Sequence, residues 1–81
     1  MLFRSHPISQ YFLGVMYESG RGVPLDQVES VSWFRKSADQ GEPGAQFKLG
    51  IKYSTGSGVP LDKKEAVRWL QIGRASCRER V

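Results

Sequence analysis

Two short glycine motifs are the first features of this sequence that could do chemistry. Gly20-Arg21-Gly22 and Gly56-Ser57-Gly58 have the composition of loops whose backbone amides hold a phosphate. A dinucleotide-binding loop also needs a preceding strand and a third glycine that opens a helix, and the pattern here contains neither. We therefore interpret both motifs as turns between helices.

Metal binding and catalysis need residues that this sequence does not bring together. His6 is the only histidine and Cys77 the only cysteine, so neither has a second ligand at the spacing of a zinc site. Two carboxylate pairs are present, Asp26 with Glu29 and Asp62 with Glu65. Their positions at the starts of predicted helices explain both pairs as helix caps. The sequence thus predicts no catalytic residue, no metal site and no cofactor.

An internal repeat with a period of 36 residues organises the chain. Residues 8–35 and 44–71 are identical at 13 of 28 positions. The shared positions include a Leu-Gly pair, a tyrosine, a Gly-x-Gly-Val-Pro-Leu-Asp segment and a tryptophan. Such self-similarity predicts two copies of one structural unit.

Each copy is predicted to contain two helices joined by a turn. The expected helices are at about 7–19, 27–40, 43–54, and from 63 onward. A proline suits the first turn of the first helix, glycines end that helix, and a capping box of Asp and Glu begins the second helix. Because one helix pair is too thin to bury its own apolar face, the predicted fold is an all-α solenoid of stacked antiparallel helix pairs.

Small and aromatic residues recur at fixed places in both copies. Gly14 and Gly50 lie inside predicted helices, where glycine is unfavourable, so they indicate a close approach of two helices. Trp33 and Trp69 occupy one position of the repeat and could anchor a partner. Packing in the core is the better interpretation of the two tryptophans, because a position that recurs in both units is typical of a shared core.

The best candidates for a binding site are Phe12, Met16, Lys48 and Lys52. Phe12 and Met16 are four residues apart and therefore share one face of the first helix. Lys48 and Lys52 occupy the same two positions in the second copy. An apolar pair beside a basic pair predicts an amphipathic groove for a peptide. The alternative, that Phe12 and Met16 contact an upstream repeat, is equally consistent with the sequence.

These residues resemble the Sel-one-like repeat, a relative of the tetratricopeptide repeat. The resemblance covers residues 8–71 through the Leu-Gly, Tyr, Gly-x-Gly-Val, Asp and Trp positions of both copies. It implies a tetratricopeptide-like superhelix and a role as a non-catalytic adaptor or scaffold that binds a protein or peptide. Cysteine-rich relatives linked to β-lactam binding or hydrolysis suggest an enzyme as the alternative, but that activity depends on paired cysteines.

The pattern divides the chain into four segments. We expect an N-terminal segment at 1–7, a first repeat at 8–43, a truncated second repeat at 44–71 and a tail at 72–81. The tail departs from the repeat and resembles a translated sequencing-library adapter. We interpret it as read-through in the gene model; a divergent capping helix is the alternative, and resequencing the locus distinguishes the two. Within the tail, Arg74 replaces Ala38 of the first copy at an expected core position.

Composition excludes several other classes of protein. The chain has 81 residues, which is one small domain at most, and no apolar run long enough to span a membrane. The start of the chain lacks the apolar segment of a secretory signal. The net charge of +4 suggests nucleic acid, but much of the excess comes from arginines in the tail. We therefore expect no nucleic-acid partner and no small-molecule substrate, and the sequence predicts no compartment.

Overall fold

Four α-helices form the part of the chain that the computed structural model describes, residues 6–79. They are α1 (Pro7–Ser19), α2 (Gln27–Asp39), α3 (Pro43–Thr55) and α4 (Lys63–Glu79). Helix α1 packs against α2, α3 packs against α4, and α2 joins the two pairs through contacts with α3. We call α1–α2 hairpin 1 and α3–α4 hairpin 2. The predicted all-α architecture of two stacked helix pairs is confirmed.

The signals that begin and end these helices are local. Pro7 and Pro43 each occupy the first turn of a helix, where the missing N–H group costs nothing. The carboxylate of Asp26 accepts hydrogen bonds from the amides of Val28 and Glu29 at 3.0 and 3.2 Å. Asp62 caps α4 in the same way, at 3.1 and 3.2 Å from the amides of Lys64 and Glu65.

The predicted capping box forms only in part. Its second half would need the Glu29 carboxylate to accept from the backbone N–H of Asp26. That N–H instead donates to the carbonyl of Tyr17 in α1, at 3.0 Å. The equivalent amide of Asp62 donates to the carbonyl of Tyr53. In each copy, the hydrogen bond from the aspartate amide therefore connects the turn to the preceding helix.

The glycine motifs form the turns between the helices of each hairpin. Gly20 and Gly22 have φ values of 73° and 74°, and Gly56 and Gly58 have values of 69° and 77°. This left-handed region disfavours residues with a Cβ, which explains why glycine stands at all four positions. The amide of Gly20 donates to the carbonyl of Met16 at the end of α1. The interpretation of both motifs as turns is therefore confirmed.

The core lies where the two hairpins meet. Its buried side chains are Val31, Phe34, Ala38, Ala45 and Leu49, from α2 and α3. Phe34 and Leu49 are completely inaccessible to solvent. Because neither hairpin contains all of these residues, each hairpin completes the core of the other.

Gly14 and Gly50 allow the helices of each hairpin to approach closely, as the sequence predicted. A Cβ added at Gly14 would lie 2.6 Å from Cε1 of Phe34. A Cβ added at Gly50 would lie 2.6 Å from Cγ of Leu70. Ordinary carbon–carbon contacts are about 3.5–4.0 Å, so only glycine fits at these two positions with the present spacing.

Two buried serines connect the helices of hairpin 1. The hydroxyl of Ser30 donates to the carbonyl of Gly14 at 2.8 Å, and the hydroxyl of Ser37 donates to the carbonyl of Pro7 at 2.6 Å. Serine in a helix often bonds a carbonyl of its own helix. Here both bonds cross to α1, so they fix the antiparallel register of the hairpin.

Helix α4 continues past Gln71, where the repeat pattern stops, to Glu79. Gly73 is buried, and a Cβ there would lie 3.3 Å from the backbone nitrogen of Phe47. Arg74 is exposed, whereas its equivalent Ala38 is buried. The expected cost of a buried arginine does not arise, because Arg74 points to solvent. Residues 1–5 and 80–81, and the side chains of residues 75–79, which include Cys77, lie outside the described part of the chain.

Candidate functional site

Phe12 and Met16 lie on the solvent-exposed side of α1. Phe12 is 57% exposed and Met16 is 37% exposed. Ile8 lies one helical turn before Phe12 and is 59% exposed. The ring of Phe12 contacts the Tyr11 ring edge to face, with ring centroids 5.6 Å apart. We call Ile8, Phe12 and Met16 the first-hairpin face.

The structure places Lys48 and Lys52 in an ion-pair cluster with Glu18 of α1. The ammonium of Lys48 lies 3.1 Å from Oε1 of Glu18, and that of Lys52 lies 2.9 Å from Oε2. Lys52 also donates to Oε1 of Gln27 at 2.7 Å. Lys52 is buried, with 5% exposure, and Lys48 is half-buried. The two lysines therefore connect hairpin 2 to hairpin 1.

The electrostatics of this cluster favour the ionised form of Glu18. Partial burial is the largest single influence on the Glu18 carboxyl and by itself raises its pKa. Hydrogen bonds from Lys52 and Lys48, together with their positive charges, outweigh that effect and lower the pKa below its ordinary value. One carboxylate thus holds two ammonium groups across the contact between the hairpins.

The four predicted residues consequently have different environments. Phe12 and Met16 present apolar surface to solvent, whereas the charges of Lys48 and Lys52 are directed toward Glu18. The sequence prediction missed Glu18. A signal was available, because Glu18 is replaced by Ser54 in the second copy, where the apolar pair is replaced by lysines. These coordinated changes indicate contact between the positions.

Exposed apolar side chains on hairpin 2 form a second surface, which the sequence prediction also missed. Phe47 is 54% exposed, Ile51 is 39% exposed and Val67 is 52% exposed. Their equivalents in the first copy, Tyr11, Val15 and Val31, pack in or against the core. We call Phe47, Ile51 and Val67 the second-hairpin face. Repeat equivalence could have identified it, because these positions are apolar in both copies.

The two tryptophans differ in their surroundings. Trp69 packs against the core cluster, as predicted. Trp33 is half-buried and lies outside that cluster, and the ammonium of Lys36 lies 4.5 Å from the centroid of its ring. The contact with Lys36 is a cation–π interaction on the surface of α2. The difference arises because α3 covers the core side of α2, while Trp33 lies on another side.

No group of acidic, histidine or cysteine side chains suited to a metal ion occurs among the described residues. His6 is exposed, and its carbonyl accepts the first backbone hydrogen bond of α1, from the amide of Gln10. Within residues 6–79, none of the helices combines the length and apolar character needed to cross a membrane.

The fold and its repeat geometry define a helical-repeat protein built from two-helix hairpins. Two consecutive copies of the Sel1 repeat match the chain, at residues 7–42 and 43–73. The chain therefore belongs to the Sel1 repeat family, which the motifs of the sequence indicated. Proteins of this family are generally protein-interaction scaffolds.

Two solved structures are closely similar to this chain. A Sel1 repeat protein from Oxalobacter formigenes superposes with a TM-score of 0.86 and 42% identity over 89% of the chain. A protective antigen of uropathogenic Escherichia coli strains, described as displaying an SLR fold, gives 0.84 and 40% identity over 85% of the chain. The chain spans 21% and 15% of the length of these two proteins. No curated protein sequence matches it.

Proposed function

We propose that this chain is a non-catalytic interaction module that binds a protein or peptide through the first-hairpin face. The observation that supports the proposal most strongly is the exposure of Phe12 and Met16 on a helix whose other sides are fixed by packing. A rigid helix loses little backbone entropy on binding, so the apolar side chains that it presents are suited to act as anchors.

A partner of mixed character is favoured, because a basic pair lies on the same chain at the contact between the hairpins. Lys48 retains 31% side-chain exposure while it pairs with Glu18, so it can present a polar edge to a bound chain. Lys52 is buried and keeps Glu18 and Gln27 in place. In this proposal Phe12 and Met16 supply contact area, Lys48 supplies a polar contact, and Lys52 fixes Glu18 at the junction of the two hairpins.

A protein partner is preferred to nucleic acid or a small molecule for two physical reasons. Glu18 offsets one of the two positive charges of Lys48 and Lys52, which reduces the attraction that a phosphate backbone needs. The exposed apolar side chains lie on a helix surface, whereas small-molecule sites are usually enclosed pockets. The single cysteine gives no support to the paired-cysteine chemistry of the β-lactam alternative.

The proposal is tested by selecting peptides from a displayed random library on the immobilised chain. Enriched peptides are synthesised, and their affinities are measured by titration calorimetry. The double variant Phe12→Asp/Met16→Asp is expected to lose at least about tenfold in affinity, since two apolar contacts are replaced by charges.

Val28→Asp is the matched control, because Val28 is an apolar side chain of α2 with 66% exposure outside the candidate surface. It should leave peptide affinity unchanged, and circular dichroism should show that all variants fold. Equal peptide affinity of the double variant and the parent chain would contradict the proposal. In a longer chain that contains a preceding repeat, unchanged partner binding together with lower stability of the double variant would favour the alternative that the sequence left open, contact of Phe12 and Met16 with an upstream repeat.

A further inference from the structure

The contact between the two hairpins provides a template for a contact with another hairpin of the same type. On the hairpin 1 side of the contact, Glu18 binds the two lysines, and the ring of Tyr11 lies beside Gly44. A Cβ added at Gly44 would lie 3.2 Å from Cε1 of Tyr11. The surface of one hairpin is thus fitted to the opposite surface of an equivalent hairpin.

The positions that form this contact recur, exposed, at the two ends of the unit. A shift of 36 residues relates Gly44, Lys48 and Lys52 to the first-hairpin face, Ile8, Phe12 and Met16. The same shift relates Tyr11, Val15 and Val31 to the second-hairpin face, Phe47, Ile51 and Val67. Each end therefore carries one half of the internal contact, and all six side chains are apolar and exposed.

The three charges of the Glu18 cluster are absent from the equivalent end positions, although Lys63 stands where Gln27 accepts from Lys52 and would lie opposite Met16. Inside the chain, Glu18 lies opposite Lys48 and Lys52. At the equivalent end positions, Ser54 replaces the glutamate while Phe12 and Met16 replace the lysines. Joining the two ends consequently buries none of the three charges that the internal contact contains. In the contact between two copies, the ion pairs of Glu18 are thus replaced by two apolar side chains next to a serine.

We propose that a second copy of this chain binds head to tail, with its second-hairpin face on the first-hairpin face of its neighbour. This inference names a second copy of the chain as the partner of the first-hairpin face, and it therefore rests on the proposed function. The contact is heterologous, because two different surfaces meet. Each added copy leaves one free face at either end, and association therefore continues beyond dimers as concentration rises.

Arg74 opposes this contact. It stands where Ala38 contributes to the internal core, and it is exposed on the side of α4 that faces the incoming copy. A charged side chain at an apolar contact weakens association unless its head group reaches water. Replacing Arg74 with alanine introduces the residue that the first copy has at the equivalent position, Ala38, and should strengthen self-association.

Sedimentation velocity over a series of concentrations measures the association directly. We expect the parent chain to show an average mass that rises with concentration. Phe12→Lys/Met16→Lys introduces the residues that hairpin 2 itself carries at these positions, and it should weaken association by about tenfold or more. Val28→Lys is the control, since Lys64 occupies the equivalent exposed position of hairpin 2, and it should associate like the parent chain.

A third substitution tests the geometry of the contact. Ser54→Glu, added to Phe12→Lys/Met16→Lys, places a carboxylate opposite the two introduced lysines, as Glu18 lies opposite Lys48 and Lys52. This triple variant should regain association, and its association should weaken with added salt because it depends on partly exposed ion pairs. A parent chain that stays monomeric at every concentration overturns the proposal, as does a triple variant no more associated than the double variant.

The two proposals fail in distinguishable ways. Library peptides that bind a strictly monomeric chain through Phe12 and Met16 would support the interaction surface and exclude a second copy as its partner. Self-association without any selected peptide would support head-to-tail stacking and contradict a general peptide-binding role. Association that Val28→Lys disrupts as strongly as Phe12→Lys/Met16→Lys overturns the assignment of the faces.

Discussion

Replacing Gly14 with alanine tests the closeness of α1 and α2, on which hairpin 1 depends. The added methyl group would lie 2.6 Å from Cε1, 2.7 Å from Cδ1 and 3.0 Å from Cζ of Phe34. Since carbon atoms in contact are normally about 3.5–4.0 Å apart, the ring or the helix must move by about 1 Å. Phe34 is fully buried, and its ring centroid lies 5.7 Å from that of Tyr11, so the ring has little room.

Two opposing effects determine the change in the free energy of unfolding. Alanine is favoured over glycine in the middle of a helix by about 1 kcal/mol. Overpacking a core typically costs about 1–3 kcal/mol, and three atoms of an immobile ring place Gly14 toward the upper end of that range. We therefore expect Gly14→Ala to lower the free energy of unfolding by about 1–2 kcal/mol.

Urea denaturation followed by far-ultraviolet circular dichroism measures this change. Gly44→Ala is the matched control, because it makes the same substitution in α3 beside a half-buried ring. A Cβ at Gly44 would lie 3.2 Å from Cε1 of the half-buried Tyr11, which is a less severe contact than the 2.6 Å at Gly14. Because Gly44 lies in the first turn of α3, where alanine gains less over glycine than in a helix interior, the control should leave stability nearly unchanged. Gly14→Ala that equals or exceeds the parent chain in stability would refute the close approach of α1 and Phe34.

Three further predictions concern the caps, the ion-pair cluster and the whole chain. Asp62→Ala should lower the free energy of unfolding by about 1 kcal/mol, measured in urea, because two amides of α4 lose their acceptor; no change would contradict the cap. Glu18→Gln should be less stable than the parent chain above about pH 5, and the difference should shrink in acid. The pKa of Glu18 is lowered, so its contribution is complete above the ordinary value of 4.5 and disappears as the pH falls through the folded-state pKa; a difference independent of pH would contradict this. The isolated chain should melt broadly, since two repeats bury a small core; a sharp transition above about 60 °C would oppose this expectation.

The helix boundaries could be predicted because their causes are local in the sequence. Pro7 and Pro43 begin helices, Asp26 and Asp62 cap them, and a glycine ends the first helix of each copy. These effects involve residues within one helical turn of each other, so a single sequence contains the information. The close approach at Gly14 was predictable for another reason: a helix-breaking residue recurs at one position of the repeat.

The ion-pair cluster could not be predicted from local pattern. Glu18 and Lys52 are separated by 34 positions and meet only because hairpin 2 stacks on hairpin 1 at a particular angle. Lys48 and Lys52 alone suggest a basic surface, and the pairing with Glu18 is indicated only by comparing the two copies, in which Glu18 and the lysines change together. The direction of the serine hydroxyls has the same cause, because Ser37 finds its acceptor 30 residues away in α1.

The different surroundings of Trp33 and Trp69 show the limit of repeat symmetry. Repeated positions have equal environments only where both copies have the same neighbours. Trp69 contacts the core that hairpin 1 helps to build, whereas Trp33 has Lys36 over its ring. The prediction that both tryptophans pack in the core is correct for Trp69 but not for Trp33. The outcome differs because the two hairpins have different neighbours.

Native-state hydrogen exchange tests the central claim, that the two hairpins share one core, most directly. Phe34 and Ala38 of α2 and Ala45 and Leu49 of α3 belong to a single cluster. The amides around these four residues should therefore exchange with one common opening free energy, equal to that of global unfolding. Strong protection in α1 and α2 together with rapid, independent exchange throughout α3 and α4 would contradict the account, because hairpin 1 would then be stable without hairpin 2.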